Sequence, residues 1–526
     1  YAEYATRRAC NRGGLVFVAA REAGQVMGRT ISLDEVSAHH AQALAHLVPE
    51  RFREATPAEL DAAAARVAET SRDDLLARYR WPWPCAFNAL FEFEGLRLRP
   101  GSVWERQEIG AEGHARFADH DAVLGVDAPT AEASEAAIRA AGYRDEQEGG
   151  EFAFGHLMGA RRARVWLSDL ELWVFSRVYA WDRVAAVRGE ITGRRRRPDD
   201  LAIMSSLTFF EEKQQVKARL KAMPAGAERD RLEEHYVNCV KARFNALGYG
   251  LHAQDDYRPG FVISPDGEWT VGPAVTEETF AERRPKRPRS WYVYGSRISG
   301  WARVALVVAA ELVFDAFGDD ARLVAGDTDS LKIRTDLPAG DVLAALAPLH
   351  DATRGSIVIV TERARRLFPD EFHDAPRLGF FEEERDGEFA RFYAAWQKAY
   401  VGETTEGAIV LTLAGVPRGA DGSLLAWLRT MTARHGFGIV RRVLCFGARL
   451  AAGLSHVEVA TYGRGEFPVI RQVDYNLCDC TTAEAISSIR WQRARGRDVP
   501  VDASAYAGWQ DGRPILVADG DMIWTA

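Results

Sequence analysis

Leu323-Val324-Ala325-Gly326-Asp327-Thr328-Asp329-Ser330-Leu331-Lys332-Ile333 reads as two short apolar runs around an acidic turn. The aliphatic residues on either side predict a pair of strands, and Gly-Asp-Thr-Asp predicts their connection. Carboxylates gathered at a hairpin tip repel one another and cost stability unless cations share them. The turn is therefore either a solvated loop or a divalent-metal site, because Mg²⁺ takes a few carboxylates together with substrate phosphates.

Upstream, Ser299 to Phe317 is strongly apolar and predicts a helix that stops at Gly318. Further back, Asp34 is the natural second carboxylate. It ends a short strand from Thr30 to Leu33 and precedes a helix expected from about Ser37 to Leu47. A helix N-terminus offers free N–H groups and a partial positive charge that suit a triphosphate. The competing reading is that Asp34 or Ser37 only caps that helix. Lys213 and Lys217 stand four apart on one helix of a hairpin expected over 207–249, split at Met223-Pro224-Ala225-Gly226, and Lys241 lies on its partner. Lysine, a compact point charge, suits a mobile triphosphate, although a solvated charged face gives the same spacing. The rest of the chain reads as follows: a strand-rich stretch over 1–33 with a turn at Arg12-Gly13-Gly14, helical sequence over 56–79 broken by Trp81-Pro82-Trp83-Pro84, an alternating strand over 86–97, a loop at 145–151 and a hairpin around Ser264-Pro265-Asp266-Gly267.

The bulk properties bound this picture. With 526 residues, three to four domains are expected at roughly 150 residues each. Hydrophobic residues at 47% and charged residues at 27% exclude wholesale disorder, a fibrous repeat and a polytopic membrane protein. Six cysteines, of which only Cys478 and Cys480 are close, read as reduced thiols rather than a disulfide framework. No transmembrane segment or signal peptide is found, so a cytoplasmic setting is expected, and the start at Tyr1 reads as a piece of something longer. The net charge of −8 argues mildly against nucleic acid, but a groove is local and the total is an average. Between Ala281 and Arg303, Arg283, Arg284, Lys286, Arg287, Arg289, Arg297 and Arg303 face a single acid, Glu282, and interleave with Trp291, Tyr292 and Tyr294. Arg161, Arg162 and Arg164, the run Arg194–Arg197, and a basic helix near 489–497 are further clusters. Each is either a phosphate contact or a solubilising face.

Taken in order, Arg12-Gly13-Gly14, Asp34-x-x-Ser37, Lys213-x3-Lys217, Lys241-x3-Asn245, Asp327-Thr328-Asp329-Ser330 and Lys398-x-Tyr400 resemble the motifs of family B DNA polymerases. The pattern is most similar to the protein-primed branch of phages and mobile elements. Val165-Trp166-Leu167-Ser168-Asp169-Leu170-Glu171-Leu172, Trp301-Ala302-Arg303 and Arg377-Leu378-Gly379-Phe380 strengthen it, and the resemblance covers roughly residues 5–430. It implies an α+β right-hand fold: palm over 1–50, a priming-protein-type insertion over 51–165, a palm link over 166–200, fingers over 201–250, a strand-displacement-type insertion over 251–292, palm over 293–425 and thumb over 426–526. The implied reaction is template-directed nucleotidyl transfer from dNTPs to a 3′-hydroxyl of a primer or a priming protein, with two Mg²⁺ ions and Mn²⁺ as an alternative. In that scheme Asp34 and Asp329 hold the metals and Asp327 supports them. Lys213, Lys217 and Lys241 contact the triphosphate beside Ser37, Asn245 stands near the nascent base pair, Arg12, Gly13 and Gly14 meet the template, and Lys398 and Tyr400 steady the primer. The expected partners are template and primer DNA, dNTPs and a terminal priming protein, with no membrane.

The sequence departs from the family where aromatics are expected. His39-His40 replaces Tyr-Pro, which removes the family's steric gate and leaves sugar selection open. Asn245-Ala246-Leu247-Gly248-Tyr249-Gly250 carries one extra residue, and Asn11 and Ala325 stand where tyrosines are usual. Only 33 residues precede Asp34, so a family-type exonuclease domain is not expected within this chain. Two other readings remain: a catalytically silent DNA-binding relative, and a primer-independent polymerase.

Overall fold

The computed structural model describes residues 2–11, 13–112, 147–148, 151–153, 156–224, 226–245, 292–370 and 377–413, together with the strands at 261–263, 269–271, 456–460, 469–473, 506–510, 513–518 and 521–524. Helix and sheet are mixed throughout. The acidic turn belongs to an eight-stranded antiparallel sheet. Seven of its strands, in chain order, are β1 (Val16–Val18), β2 (Thr30–Glu35), β3 (Ala321–Asp327), β4 (Ser330–Thr335), β5 (Phe381–Trp396), β6 (Ala399–Thr404) and β7 (Ile409–Leu413). Their spatial order is β1-β3-β4-β2-β5-β6-β7, and Val26–Met27 adds to β5. Thus β2, from the start of the chain, lies between strands that follow it by some 300 residues.

The pleat explains what each face of β2 carries. In the β2–β4 register Leu33 faces Leu331 and Ile31 faces Ile333, and all four are fully buried in the main core. Burying such side chains contributes roughly 1.5–3 kcal/mol each. The alternate positions pair Ser32 with Lys332 and Asp34 with Ser330, so the polar residues share the opposite face. One apolar face thereby aligns the polar one.

Four helices matter to the site: α1 (Ala38–Ala45), α2 (Asp200–Ala222), α3 (Tyr292–Phe317) and α4 (Ala347–Leu367). Leu44 and Ala41 of α1 pack with Ile203, Leu207 and Phe210 of α2, Phe244, and Ile357 and Val360 of α4. The chain returns from α2 through Ala227–His235, a π-helical turn Tyr236–Lys241 and Ala242–Asn245. A second, seven-stranded sheet is built on Ala86–Leu98, with Arg183–Thr192 and His156–Ser168 on either side. Helix Asp169–Val178 packs on α3, where Arg303 pairs with Glu171 at 2.9 Å and Arg297 pairs with Asp169.

Several expectations change. Residues 2–9 form a helix, not strands: its Arg7 reaches Glu190 of the second sheet at 2.9 Å. The helical sequence over 56–79 is two helices, Pro57–Glu69 and Arg72–Ala77, restarted by a Ser71 cap. The stretch read as a loop at 145–151 contains strand Gln147–Glu148 and the start of Glu151–Ala153, both paired with His156–Ser168. Arg297 and Arg303 are buried in their ion pairs, at 6% and 5% exposure, and are not surface cations. Arg162 and Arg164 share Glu92 at 2.8 and 2.7 Å. Arg12, the basic residues 283–289 with Trp291, residues 246–250, Cys478, Cys480 and the basic helix near 489–497 lie outside the described residues.

Candidate functional site

Register builds the site. On β2, Asp34 lies between Ser330 of β4 and Glu382 of β5, and the Glu35 amide donates to the Asp329 carbonyl at 2.7 Å. The turn itself is held by Asp329 N–H donating to Asp327 O (2.6 Å) and Thr328 N–H donating to Leu15 O (2.8 Å). Gly14 lies against Thr328 so closely that a Cβ would collide with the threonine side chain, and a Cβ on Gly326 would enter the Phe17 ring. These glycines let the 13–17 segment press on the acidic turn.

Asp34 and Asp329 are half-buried and electrostatically coupled. Burial, the Asp329 charge and the Glu384 charge raise the Asp34 pKa to about 7, against Lys332 and Lys217. Burial and Asp327 raise Asp329 to about 6, against Lys332 and Lys398. Both carboxyls therefore sit where a cation would be favourable. They are the hard oxygen donors that Mg²⁺ takes. Among the described residues no group of three His, Cys, Asp or Glu side chains could hold a metal ion. The residues fit a divalent ion that draws its remaining ligands from a phosphate substrate and water. Asp327 is tied to Lys398 Nζ at 2.8 Å and accepts from Thr328 Oγ1 at 3.1 Å.

Cations arrive from the other side. Lys213 of α2 donates to Ser37 Oγ at 2.8 Å and stands 4.6 Å from the centre of the Phe244 ring. Its pKa falls to about 8 through burial and the charges of Lys217 and Lys241. That places Lys217 and Lys241 around the same point, and Lys217 also acts on Asp34. The opposite face of Phe244 carries His40, stacked at 3.5 Å, whose Nε2 lies 2.6 Å from the Phe244 carbonyl. Asn245 is exposed at the end of that helix, and burial lowers the pKa of His39, the residue before His40. Three residues here adopt left-handed backbone without being glycine: Ser37 (φ 55°), Thr328 (φ 61°) and Lys398 (φ 53°). Such conformations cost of order 1 kcal/mol or more and persist where surrounding structure imposes them.

Sequence reading missed three residues. Lys332, 3% exposed, donates to Ser330 Oγ at 2.7 Å, lies 3.8 Å from Glu384, and sits 5.4 Å above the Tyr400 ring. Glu384 accepts from Ser32 Oγ and adds its charge to Asp34. By sequence, 382–385 reads as an acidic loop away from the basic clusters. In fact 382–385 lies in β5, pairing beside β2. A lysine between Leu331 and Ile333 was the available signal, since strand alternation turns it away from the core. The third is Glu35, fully enclosed, whose pKa burial drives well above the carboxylate range. The Gln42 amide bridges Glu35 (2.8 Å) to His46 Nε2 (2.9 Å), and His46 Nδ1 meets Tyr79 O at 2.9 Å while its ring stacks on Trp301. Burial keeps His46 neutral, so Nδ1 carries its proton and Nε2 accepts. In the structure the Gln42 nitrogen donates to Glu35 and its oxygen faces His46; a neutral His46 with its proton on Nδ1 requires that amide to be turned over, which would make Glu35 the proton donor.

No protein-family model and no curated protein matches the chain. Among solved structures, phi29 DNA polymerase complexed with primer-template DNA and incoming nucleotide substrates is similar over 79% of this chain and 55% of its own, with 15% identity and a TM-score of 0.43. The same enzyme with single-stranded DNA gives 0.41 over the same shares at 15% identity. The family B DNA polymerase from the hyperthermophilic archaeon Pyrobaculum calidifontis is similar over 46% of this chain and 23% of its own, at 15% identity and a TM-score of 0.20. The chain spans about half the length of the phi29 enzyme it matches. No helix among the described residues is long and apolar enough to cross a membrane.

Proposed function

We propose that the chain is a DNA polymerase, transferring a nucleotide from a dNTP to a 3′-hydroxyl under template direction. One observation carries this reading: adjacent strands bring Asp34 and Asp329 together as under-compensated carboxyls, with Lys213, Lys217 and Lys241 facing them from a helical hairpin. Two Mg²⁺ ions held at Asp34 and Asp329 would supply charge neutralisation and an activated hydroxyl. The chain's own residues do the rest. Lys213, Lys217 and Lys241 hold the triphosphate over the start of α1, whose first N–H groups add to the positive field. The charge of Lys332 steadies both carboxylates, and Lys398 holds Asp327 in an ion pair. Tyr400 and the Gly13-Gly14 segment border the turn where primer and template would lie. The right-hand division, with insertions at 51–165 and 251–292 and a thumb over 426–526, and a priming protein as partner, belong to the same proposal.

Primer extension on a singly primed template with Mg²⁺ tests it. Wild type is expected to incorporate dNTPs, and Asp34→Ala and Asp329→Ala each to lose at least a thousandfold while still binding DNA. Incorporation that survives either substitution overturns the mechanism. Binding without incorporation by wild type identifies the silent alternative. Omitting the primer and offering rNTPs examines primer independence and sugar choice at His39.

A further inference from the structure

Many of the described surface arginines are paired with carboxylates, as Arg162 and Arg164 are with Glu92, and Arg363 is with Asp200. One group is different. Arg195 and Arg196 form a short strand opposite Pro49 and Val48, and the Arg194 carbonyl accepts from Glu50 N–H at 3.1 Å. The Arg80 carbonyl accepts from Leu47 N–H at 3.3 Å, which brings Arg80 and Trp81 to the same place. The Arg195 guanidinium lies 5.1 Å from the centre of the Trp81 ring. Arg194 to Arg197 are all exposed. Among the described residues none of these five arginines forms an ion pair with a carboxylate. Nε and Nη2 of Arg80 and Nε1 of Trp81 are buried with no hydrogen-bond partner. Arg80 loses basicity through burial and the charge of Arg197, so like charges meet there, and Arg197 also acts on Asp200 at the start of α2.

We propose that this patch binds the phosphodiester backbone of a single-stranded nucleic acid. Guanidinium forks match phosphate oxygens in pairs, and an indole beside them offers a base a stacking surface. The patch hangs from the C-terminal end of α1, a helix about 12 Å long that starts four residues after Asp34. A strand running to the carboxylates would pass within a few nucleotides of it. Taking the ligand as nucleic acid rests on the polymerase reading.

The test is anisotropy of a labelled oligothymidylate with the full chain, without divalent ions, across a KCl series. R195A/R196A/R197A is expected to weaken binding at least tenfold at moderate salt. The slope of log K on log salt should fall by about 2, since each lost contact to single-stranded phosphate removes about 0.7. R195K/R196K/R197K is expected to keep most of the slope, and Arg196→Glu alone gives the same readout should the triple variant melt early. An unchanged slope overturns the proposal, as does an equal loss in the lysine variant. Preference for phosphatidylglycerol vesicles over the oligonucleotide overturns it too. Asp34→Ala is expected to bind as wild type does. Patch-dependent binding by a wild type that incorporates nothing sinks the polymerase reading alone, and incorporation with patch-independent binding sinks the patch alone.

Discussion

Asp34 and Asp329 are held above their unfolded pKa values, at about 7 and 6. A raised carboxyl supports the fold only while protonated: that contribution is whole below about pH 4 and is lost as pH climbs through the folded values. Asp34→Asn is therefore expected to raise the melting temperature at pH 8 without divalent ions, and to change little near pH 4. Mg²⁺ should stabilise wild type more than Asp34→Asn, and chelation should remove that difference; calorimetry at the two pH values checks both. Lys332 opposes the same protonation. Lys332→Met should lower incorporation at least tenfold and move its acid limb to higher pH, which a pH–rate profile would reveal. Glu35 gives a sharper contrast. Because it donates a proton to Gln42, Glu35→Gln is expected to keep both melting temperature and activity, whereas Glu35→Ala leaves Gln42 unpaired and should cost about 1–3 kcal/mol. Equal losses in the two variants would refute that proton assignment. Asp34, Asp329 and the lysines of α2 were legible because each sits in a short local pattern. Lys332, Glu384 and Glu35 were not, since their roles arise from register between distant strands and from burial.

Among the elements, the hairpin β3–β4 was readable from its apolar flanks and acidic turn, and α3 from its length of apolar sequence. The N-terminal helix was not, because its position depends on Arg7 reaching Glu190, 183 residues away. The β5 strand was misjudged where three glutamates broke its apolar pattern. They are tolerated because Glu382 pairs with Arg377 at 2.8 Å, and Glu384 with Ser32 and Lys332. At this scale the close approach of β1 and β3 is the vulnerable point. Gly326→Ala drives a methyl into Phe17, and overpacking of this kind costs roughly 1–3 kcal/mol. Thermal melting should show the loss, and a second change, Phe17→Leu, should recover part of it.

For the whole molecule, the two sheets are joined through helix Asp169–Val178 against α3, and that joint carries buried ion pairs. Removing one partner of such a pair strands a charge and costs roughly 3–5 kcal/mol. Arg303→Ala should therefore destabilise strongly in denaturant melts while leaving the salt dependence of oligonucleotide binding unchanged, opposite to the behaviour expected of Arg195–Arg197. Sequence counting placed Arg297 and Arg303 in a DNA-facing cluster because charge density carries no information on burial. The sheet order has one more consequence, which concerns synthesis. Strand β2 emerges early, but its partners on both edges emerge some 300 residues later. At roughly 5–20 residues per second, that is a wait of about 15–60 s. During it the nascent chain holds Ile31 and Leu33 and both edges of β2 without their final partners, so the ribosome-bound intermediate is a natural client for a holding chaperone, and the carboxylates close into one site only after Ser330–Thr335 has emerged.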